Sequence, residues 1–181
     1  MYLSQDAEDA ALVRRVLAGD MAAFEVLVVR YQRPLFTVAS RMLGSREDAA
    51  DATQNALVRI FENLGTFDPG RRFFSWSYRI VVNECLNVLR ARRSEGTAGE
   101  PMLAPIAFEQ VAAAERRVAV QRALMELAPE LRAVMVLRHY GGLSYEQISE
   151  ALGGVPVKTV KSRLHTARQR LGRVLLGWQE R

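Results

Sequence analysis

The stretch Leu143-Ser144-Tyr145-Glu146-Gln147-Ile148-Ser149-Glu150-Ala151-Leu152, followed by Gly153-Gly154-Val155-Pro156 and the basic run from Val157 to Arg173, decides how this chain is read. Ser144 suits a helix N-cap, because its hydroxyl oxygen can accept from an amide that the first turn leaves free. The Gly-Gly-Val-Pro tetrad stops that helix and redirects the chain into a second one, which gives a helix-turn-helix. In the second helix Val160, Leu164, Ala167, Leu171 and Val174 recur at helical spacing as one apolar stripe. Opposite them lie Lys158, Ser162, His165, Thr166, Gln169 and Arg173. Six cations and no acid fall between Val157 and Arg173. A merely solvated face would mix in carboxylates. Hydroxyls and amides set among cations suit a duplex groove, where the former read base edges and the latter meet phosphates.

Outward from that segment the signals remain helical, and the expected fold class is all-α. An N-cap at Asp6, then Leu12, Val13, Val16 and Leu17, predicts a first helix ending at Gly19. Asp20 caps a second, with Phe24, Leu27, Val28 and Tyr31 on one face and a break or kink at Pro34. Leu35, Val38, Ala39 and Met42 repeat the pattern. Ser45-Arg46-Glu47-Asp48 resembles a capping box and opens a long helix to about Leu64, with Thr53, Leu57, Ile60, Phe61 and Leu64 as its stripe. A loop follows over 65–72, then a helix from about Ser75 to Arg93, whose buried side is Tyr78, Val81, Cys85, Val88 and Leu89. On its other side Trp76, Arg79, Asn83, Asn87 and Arg90 gather. An aromatic ring, guanidiniums and amides on one face suit single-stranded or distorted nucleic acid, though a packed Trp with exposed polar neighbours reads equally well.

Residues 94–109 are rich in Gly, Pro, Ser and Thr and read as interdomain chain. The expected organisation is two small helical domains, 1–93 and 116–181, joined by a flexible linker over 94–115. Among the 181 residues 25 Lys and Arg face 20 Asp and Glu, a net charge of +5, and all of that excess can be found in residues 121–181. Such asymmetry points to a polyanionic partner. The single cysteine excludes an internal disulfide and any multi-thiolate metal site. Met1 to Ala10 carry three acids and no base, the reverse of a signal peptide, and the apolar runs are too short to span a bilayer, so membrane insertion is not expected and a cytoplasmic location is. Two histidines and no nucleophile or metal-ligand motif argue against an enzyme. Asp48 and Asp51 share a helical face but lack a third ligand, so no metal and no cofactor is expected.

Four ordered motifs then resemble one family: Leu12-Val13 with Gly19-Asp20, Ala23-Phe24 and Tyr31; Asp48-Ala49-Ala50-Asp51-Ala52-Thr53-Gln54; Trp76-Ser77-Tyr78-Arg79-Ile80-Val81-Val82-Asn83; and Leu143 to Ile148 with Thr159-Val160-Lys161-Ser162-Arg163-Leu164-His165. Together they are similar to the extracytoplasmic-function (ECF) sigma factors of bacterial RNA polymerase. That resemblance implies an alternative sigma factor that binds core polymerase and directs promoter-specific initiation, including strand opening at the minus-ten element. It assigns Phe67, Asp68, Arg71, Arg72, Trp76, Arg79, Asn83, Asn87 and Arg90 to the minus-ten single strand. Arg138, Lys158, Thr159, Lys161, Ser162, Arg163, His165, Thr166 and Gln169 fall to the minus-thirty-five element. Asp48, Asp51, Gln54 and Asn55 fall to the β′ coiled coil of core polymerase, with the β flap, promoter DNA and an anti-sigma factor as further partners. Thr166 and the doubled glycine Gly153-Gly154 depart from the family pattern. The alternative on the residues alone is a stand-alone helix-turn-helix regulator, which would bind symmetric duplex sites without polymerase.

Overall fold

The computed structural model describes residues 2–95 and 111–179. Among them are eight α-helices and no strand: α1 (Tyr2–Leu17), α2 (Met21–Leu43), α3 (Arg46–Glu62), α4 (Phe73–Glu95), α5 (Val111–Met125), α6 (Pro129–His139), α7 (Tyr145–Ala151) and α8 (Val157–Gln179), with a 3-10 turn at Leu64–Thr66. The all-α, two-domain expectation stands. Helix extends past both expected edges of the linker, to Glu95 and from Val111, and the stretch between lies outside the described residues.

Helices α1 to α4 form the N-terminal domain around Leu27, Leu35, Val38, Met42, Ala49, Ala52, Ala56, Ile60, Val81 and Cys85, all buried. Asp20 caps α2 by accepting from the amide of Ala23, and its carboxylate pairs with Arg15 at 2.7 Å. Gly44, at φ 72°, ends α2 in the left-handed conformation that glycine adopts without a Cβ penalty, and Ser45 caps α3 one residue later. One turn in the chain therefore sets the α2–α3 angle.

Three expectations need correction here. The first helix begins before Asp6, whose carboxylate pairs with Arg72 at 3.5 Å instead of capping. Helix α2 runs unbroken through Pro34, because Tyr31, Leu35 and Val38 on either side of it are buried in the same core. Phe61 is exposed rather than part of the buried stripe of α3, whose inward face is made of Ala49, Ala52, Thr53, Ala56 and Ile60.

A polar cluster sits inside the α1–α2 pair. Asp9 is fully buried; it accepts from Arg30 Nη1 at 2.5 Å and from the Tyr31 hydroxyl. Burial raises the pKa of Asp9 while those two donors pull it back, and burial pushes the Tyr31 phenol far up as well. The Tyr31 ring in turn meets Phe73 of α4 at 5.1 Å, so α1, α2 and α4 share one anchor.

Helices α5 to α8 form the C-terminal domain around Leu124, Leu127, Val134, Leu137, Leu143, Ile148, Val160, Leu164 and Ala167. The capping box at Ser144 is complete: its hydroxyl accepts from the Gln147 amide, and the Gln147 side chain accepts from the Ser144 amide at 2.6 Å. The two domains touch. Helices α5 and α6 pack on the C-terminal end of α2, and α7 lies along α4. Among the described residues no helix is long and apolar enough to cross a membrane.

Cys85 is buried in α4, and burial pushes its thiol up to about 12. Because the thiolate is the reactive form, an aromatic disulfide reagent at pH 8 is expected to leave Cys85 unmodified in the native chain. Stoichiometric release of the reporter thiolate is expected only on adding denaturant, which absorbance titration would follow.

Candidate nucleic-acid interface

The outer face of α4 and the end of α3 enclose an open cleft of about 520 Å³. Arg79, Asn83, Asn87 and Arg90 line it, as the sequence predicts, and all four side chains remain exposed. Their spacing puts them on one side because the opposite side of α4 carries Tyr78, Val81, Val82 and Cys85 into the core. Arg90 donates to the Asn87 amide oxygen at 2.8 Å, which orients the amide toward the cleft mouth.

Sequence reasoning missed five further lining residues: Arg59, Asn63, Thr66, Ile80 and Glu84. Arg59 Nε pairs with Glu84 Oε1 at 2.7 Å, joining α3 to α4 across the cleft floor. No period along either helix signals a pair between residues 25 positions apart in sequence. Glu84 is nearly buried and Arg59 half exposed, so the guanidinium keeps donors free for a ligand while its partner is held inside. Three guanidiniums, three amides and a ring edge around one cleft can hold a polyanion's backbone and hydrogen-bond splayed bases.

The aromatic part of the expected face is inside. Phe67 is only 5% exposed, and its ring meets Phe73 at 5.4 Å and Trp76 at 5.4 Å. A further Phe73–Trp76 contact at 5.6 Å closes the triangle. Phe67 therefore shapes the loop from beneath, where apolar burial holds it, and is not free to stack on a base. Trp76 is half-buried: it lines the cleft while its ring packs on Phe67 and Phe73. Asp68 and Arg71 are exposed on the loop and pair with each other at 3.6 Å, while Gly70 donates to Asp68 Oδ1 at 2.9 Å. Arg72 turns toward Asp6 and a separate cleft of about 470 Å³ between the domains.

Helix α8 buries Val160, Leu164, Ala167 and Leu171, and exposes Lys158, Lys161, Ser162, His165, Gln169 and Arg173; Thr159, Arg163 and Thr166 are half-buried at its margins. His165 and Gln169 are hydrogen-bonded at 3.1 Å, one turn apart on the outer face. Arg138 is the exception among the residues expected on this surface. It donates to the Leu143 carbonyl at 2.6 Å and stacks 5.1 Å over the Tyr145 ring, so it braces the entry to α7. Lys161 Nζ reaches the same ring at 5.6 Å, and Tyr145 thereby fixes the register of α7 against α8. Burial, then Arg168 and Arg138, holds His139 below the usual imidazole range.

On α3, Asp51, Gln54 and Asn55 form an exposed polar stripe. Asp48 leaves that stripe: its carboxylate pairs with Arg92 of α4, and Arg92 also donates to the Leu43 carbonyl at 3.3 Å. Proximity of the two helix ends makes this a clamp at the α2–α3 turn. Among the described residues no group of acids, histidines and cysteine could hold a metal ion.

These faces on this fold define a two-domain, all-α DNA-binding protein of the helix-turn-helix type. Residues 27–95 match the family model for Sigma-70 region 2, and residues 117–171 match that for Sigma-70, region 4. The ECF RNA polymerase sigma factor SigM of Mycobacterium tuberculosis (strain ATCC 25618 / H37Rv) is 40% identical over 167 residues, covering 92% of this chain and 84% of that protein. The ECF RNA polymerase sigma-E factor of Escherichia coli K12 is 35% identical over 181 residues, covering 92% and 94%. Among solved structures, CnrH in complex with the cytosolic domain of CnrY aligns with a TM-score of 0.74 at 28% identity, over 94% of this chain and 98% of that one. The chain belongs to the ECF sigma factors, and its function is that of an alternative sigma factor directing transcription.

Packing and exposure separate two residues of the cleft. Trp76→Ala is expected to lower stability by about 3 kcal/mol, because it opens a cavity beside Phe67 and Phe73. Asn87→Ala is expected to stay within about 0.5 kcal/mol of wild type. Urea unfolding followed by circular dichroism measures both.

Proposed function

We propose that the N-terminal domain binds the minus-ten element as melted strand and the C-terminal domain binds the minus-thirty-five element as duplex. The α3–α4 cleft is the observation that carries this reading. Its exposed amides and guanidiniums are spaced along one helix face from Arg79 to Arg90, with Trp76 at the end, which suits splayed bases better than a closed groove. Strand opening follows from differential binding. A cleft that holds bases only when they are out of the stack lowers the free energy of the open form and shifts the duplex equilibrium toward it.

In this reading Asp51, Gln54 and Asn55 dock on the β′ coiled coil of core polymerase, and the C-terminal domain meets the β flap. Helix α8 enters the major groove, with Ser162, His165, Thr166 and Gln169 toward base edges and Lys158, Lys161 and Arg163 toward phosphates. Control by an anti-sigma factor fits the likeness to the sigma factor RpoE of Bartonella quintana, solved in complex with the anti-sigma factor NepR. The site of action is the cytoplasm, where polymerase works, and the chain carries no chemistry of its own. A stand-alone regulator would have no use for the α3–α4 cleft, so the two-element reading is preferred.

Run-off transcription with core polymerase on genomic fragments tests the whole reading, through transcripts that require this protein. Within it, Asn83→Ala is expected to reduce open-complex formation, read by permanganate reactivity, by roughly tenfold or about 1.4 kcal/mol, the size of a lost polar contact to a base. Duplex binding in gel shifts should change less than twofold. Lys161→Ala is expected to lower the slope of log binding constant against log salt by about one ionic contact. Titrating binding across salt concentrations reads that slope, and an unchanged value places Lys161 off the phosphates.

A further inference from the structure

We propose that helix α8 carries an acyl-acceptor site at Lys158, and that a short acyl group transferred there from an acyl thioester or acyl phosphate weakens the hold of this helix on duplex DNA. Of the 25 lysines and arginines in the chain, 23 are arginine. The two lysines, Lys158 and Lys161, stand three residues apart in the first two turns of α8. Even exposed positions elsewhere, such as Arg33, Arg46 and Arg93, hold arginine. A guanidinium stays protonated and does not attack an acyl carbon, whereas a lysine amine does. Acyl transfer to the side-chain amines of this protein is therefore confined to one helix, the one whose outer face is basic and free of acids.

The two amines differ in what holds them. Lys158 is exposed and has no hydrogen-bond or ion-pair partner among the described residues. Lys161 Nζ lies 5.6 Å from the centroid of the Tyr145 ring, which also takes the Arg138 guanidinium at 5.1 Å. Only the ammonium makes that contact, so Lys161 must give it up before it attacks, while Lys158 gives up only water. In the transfer the neutral amine of Lys158 adds to the acyl carbon and a C–N bond forms. The C–S bond of the thioester, or the C–O bond of the acyl phosphate, breaks. The thiolate or phosphate leaves with the electron pair, and the two protons shed by the ammonium go to water. Nothing is oxidised or reduced.

The product is an uncharged amide. It removes one of the six cations between Val157 and Arg173, at the end of α8 that leads into the helix-turn-helix turn. The effect on DNA rests on the reading under Proposed function, in which Lys158 meets a phosphate. A contact that carries about 0.9 of the slope of log binding constant against log salt is worth about fivefold at roughly 0.15 M salt. The cations of the α3–α4 cleft are Arg59, Arg79 and Arg90, so the same reagents leave its charge intact. One modification therefore separates duplex contact on α8 from the cleft on α4.

Treating the full chain with acetyl phosphate in one arm and acetyl-CoA in another, then following each lysine by peptide mass mapping, tests the site and identifies the donor. Lys158 is expected to take the acetyl group about two- to fivefold faster than Lys161, and the two rates to converge in denaturant, where the Tyr145 contact is gone. Holoenzyme assembled with chain acetylated at Lys158 is expected to bind a promoter fragment from the run-off assay about fivefold more weakly at roughly 0.15 M salt, with the salt slope lower by about one. Lys158→Arg, given the same treatment and judged against its own untreated form, is expected to lose less than about twofold, because the guanidinium takes no acyl group. Equal rates in the native chain, no label on Lys158 in either arm, acetylated chain that binds as tightly as before, or the same loss in Lys158→Arg would each overturn the proposal. Failure of the two-element reading would appear instead as an untreated chain that yields no transcripts, while the labelling rates still decide the site.

Discussion

The four carbonyls at the end of a helix must find donors, and the position of the two domains depends on where those at the end of α2 find theirs. Arg132 and Gln121 reach them from the C-terminal domain, and Arg92 of α4 reaches the Leu43 carbonyl from within the N-terminal one. Burial and the nearby Arg92 lower the pKa of Arg132 to about 10, which still leaves it charged at neutral pH. A cation without a carboxylate partner is tolerable inside because the convergent ends of α2 and α5 supply negative potential through their dipoles. The same focus holds α3 in place, since Arg92 also engages Asp48 in its first turn. The exposed polar stripe of α3, the α3–α4 cleft and the helix-turn-helix are all referred to this one junction.

Sigma activity from so small a chain requires a division of labour between faces. Inward faces are apolar and fixed by period, and the outward faces of α3, α4 and α8 are then free to carry different chemistry: amides with a carboxylate on α3, guanidiniums with amides on α4, and hydroxyls with cations on α8. Each outward set is chemically distinct from the other two. Aromatic residues take a supporting part. Phe67, Phe73 and Trp76 hold the loop before α4 from below, and its polar residues are presented on that platform.

Much of this was legible in the sequence, and for one reason. A helix repeats every 3.6 residues, so Val160, Leu164, Ala167 and Leu171 declare the buried side of α8 and, by subtraction, its outward side. Tyr78, Val81 and Cys85 do the same for α4. What stayed hidden depends on contacts distant in sequence. Nothing local marks Asp48 as the partner of Arg92, Arg59 as the partner of Glu84, or Arg132 as a cap for α2. Likewise Asp6 looks like an N-cap until Arg72 takes its carboxylate, and Pro34 looks like a break until the core on both sides holds the helix through it. Phe67, flanked by loop residues, carries no periodic sign that its ring turns inward.

Cys85 has a consequence for signalling. It is the only cysteine in the sequence, it is buried against the core, and burial holds its thiol protonated. Thiol-exchange reagents therefore meet no reactive thiol on the folded chain. A response to thiol-oxidising conditions that runs through this factor therefore takes its thiol receiver from another molecule, and the message reaches the factor as a change of contact or of abundance.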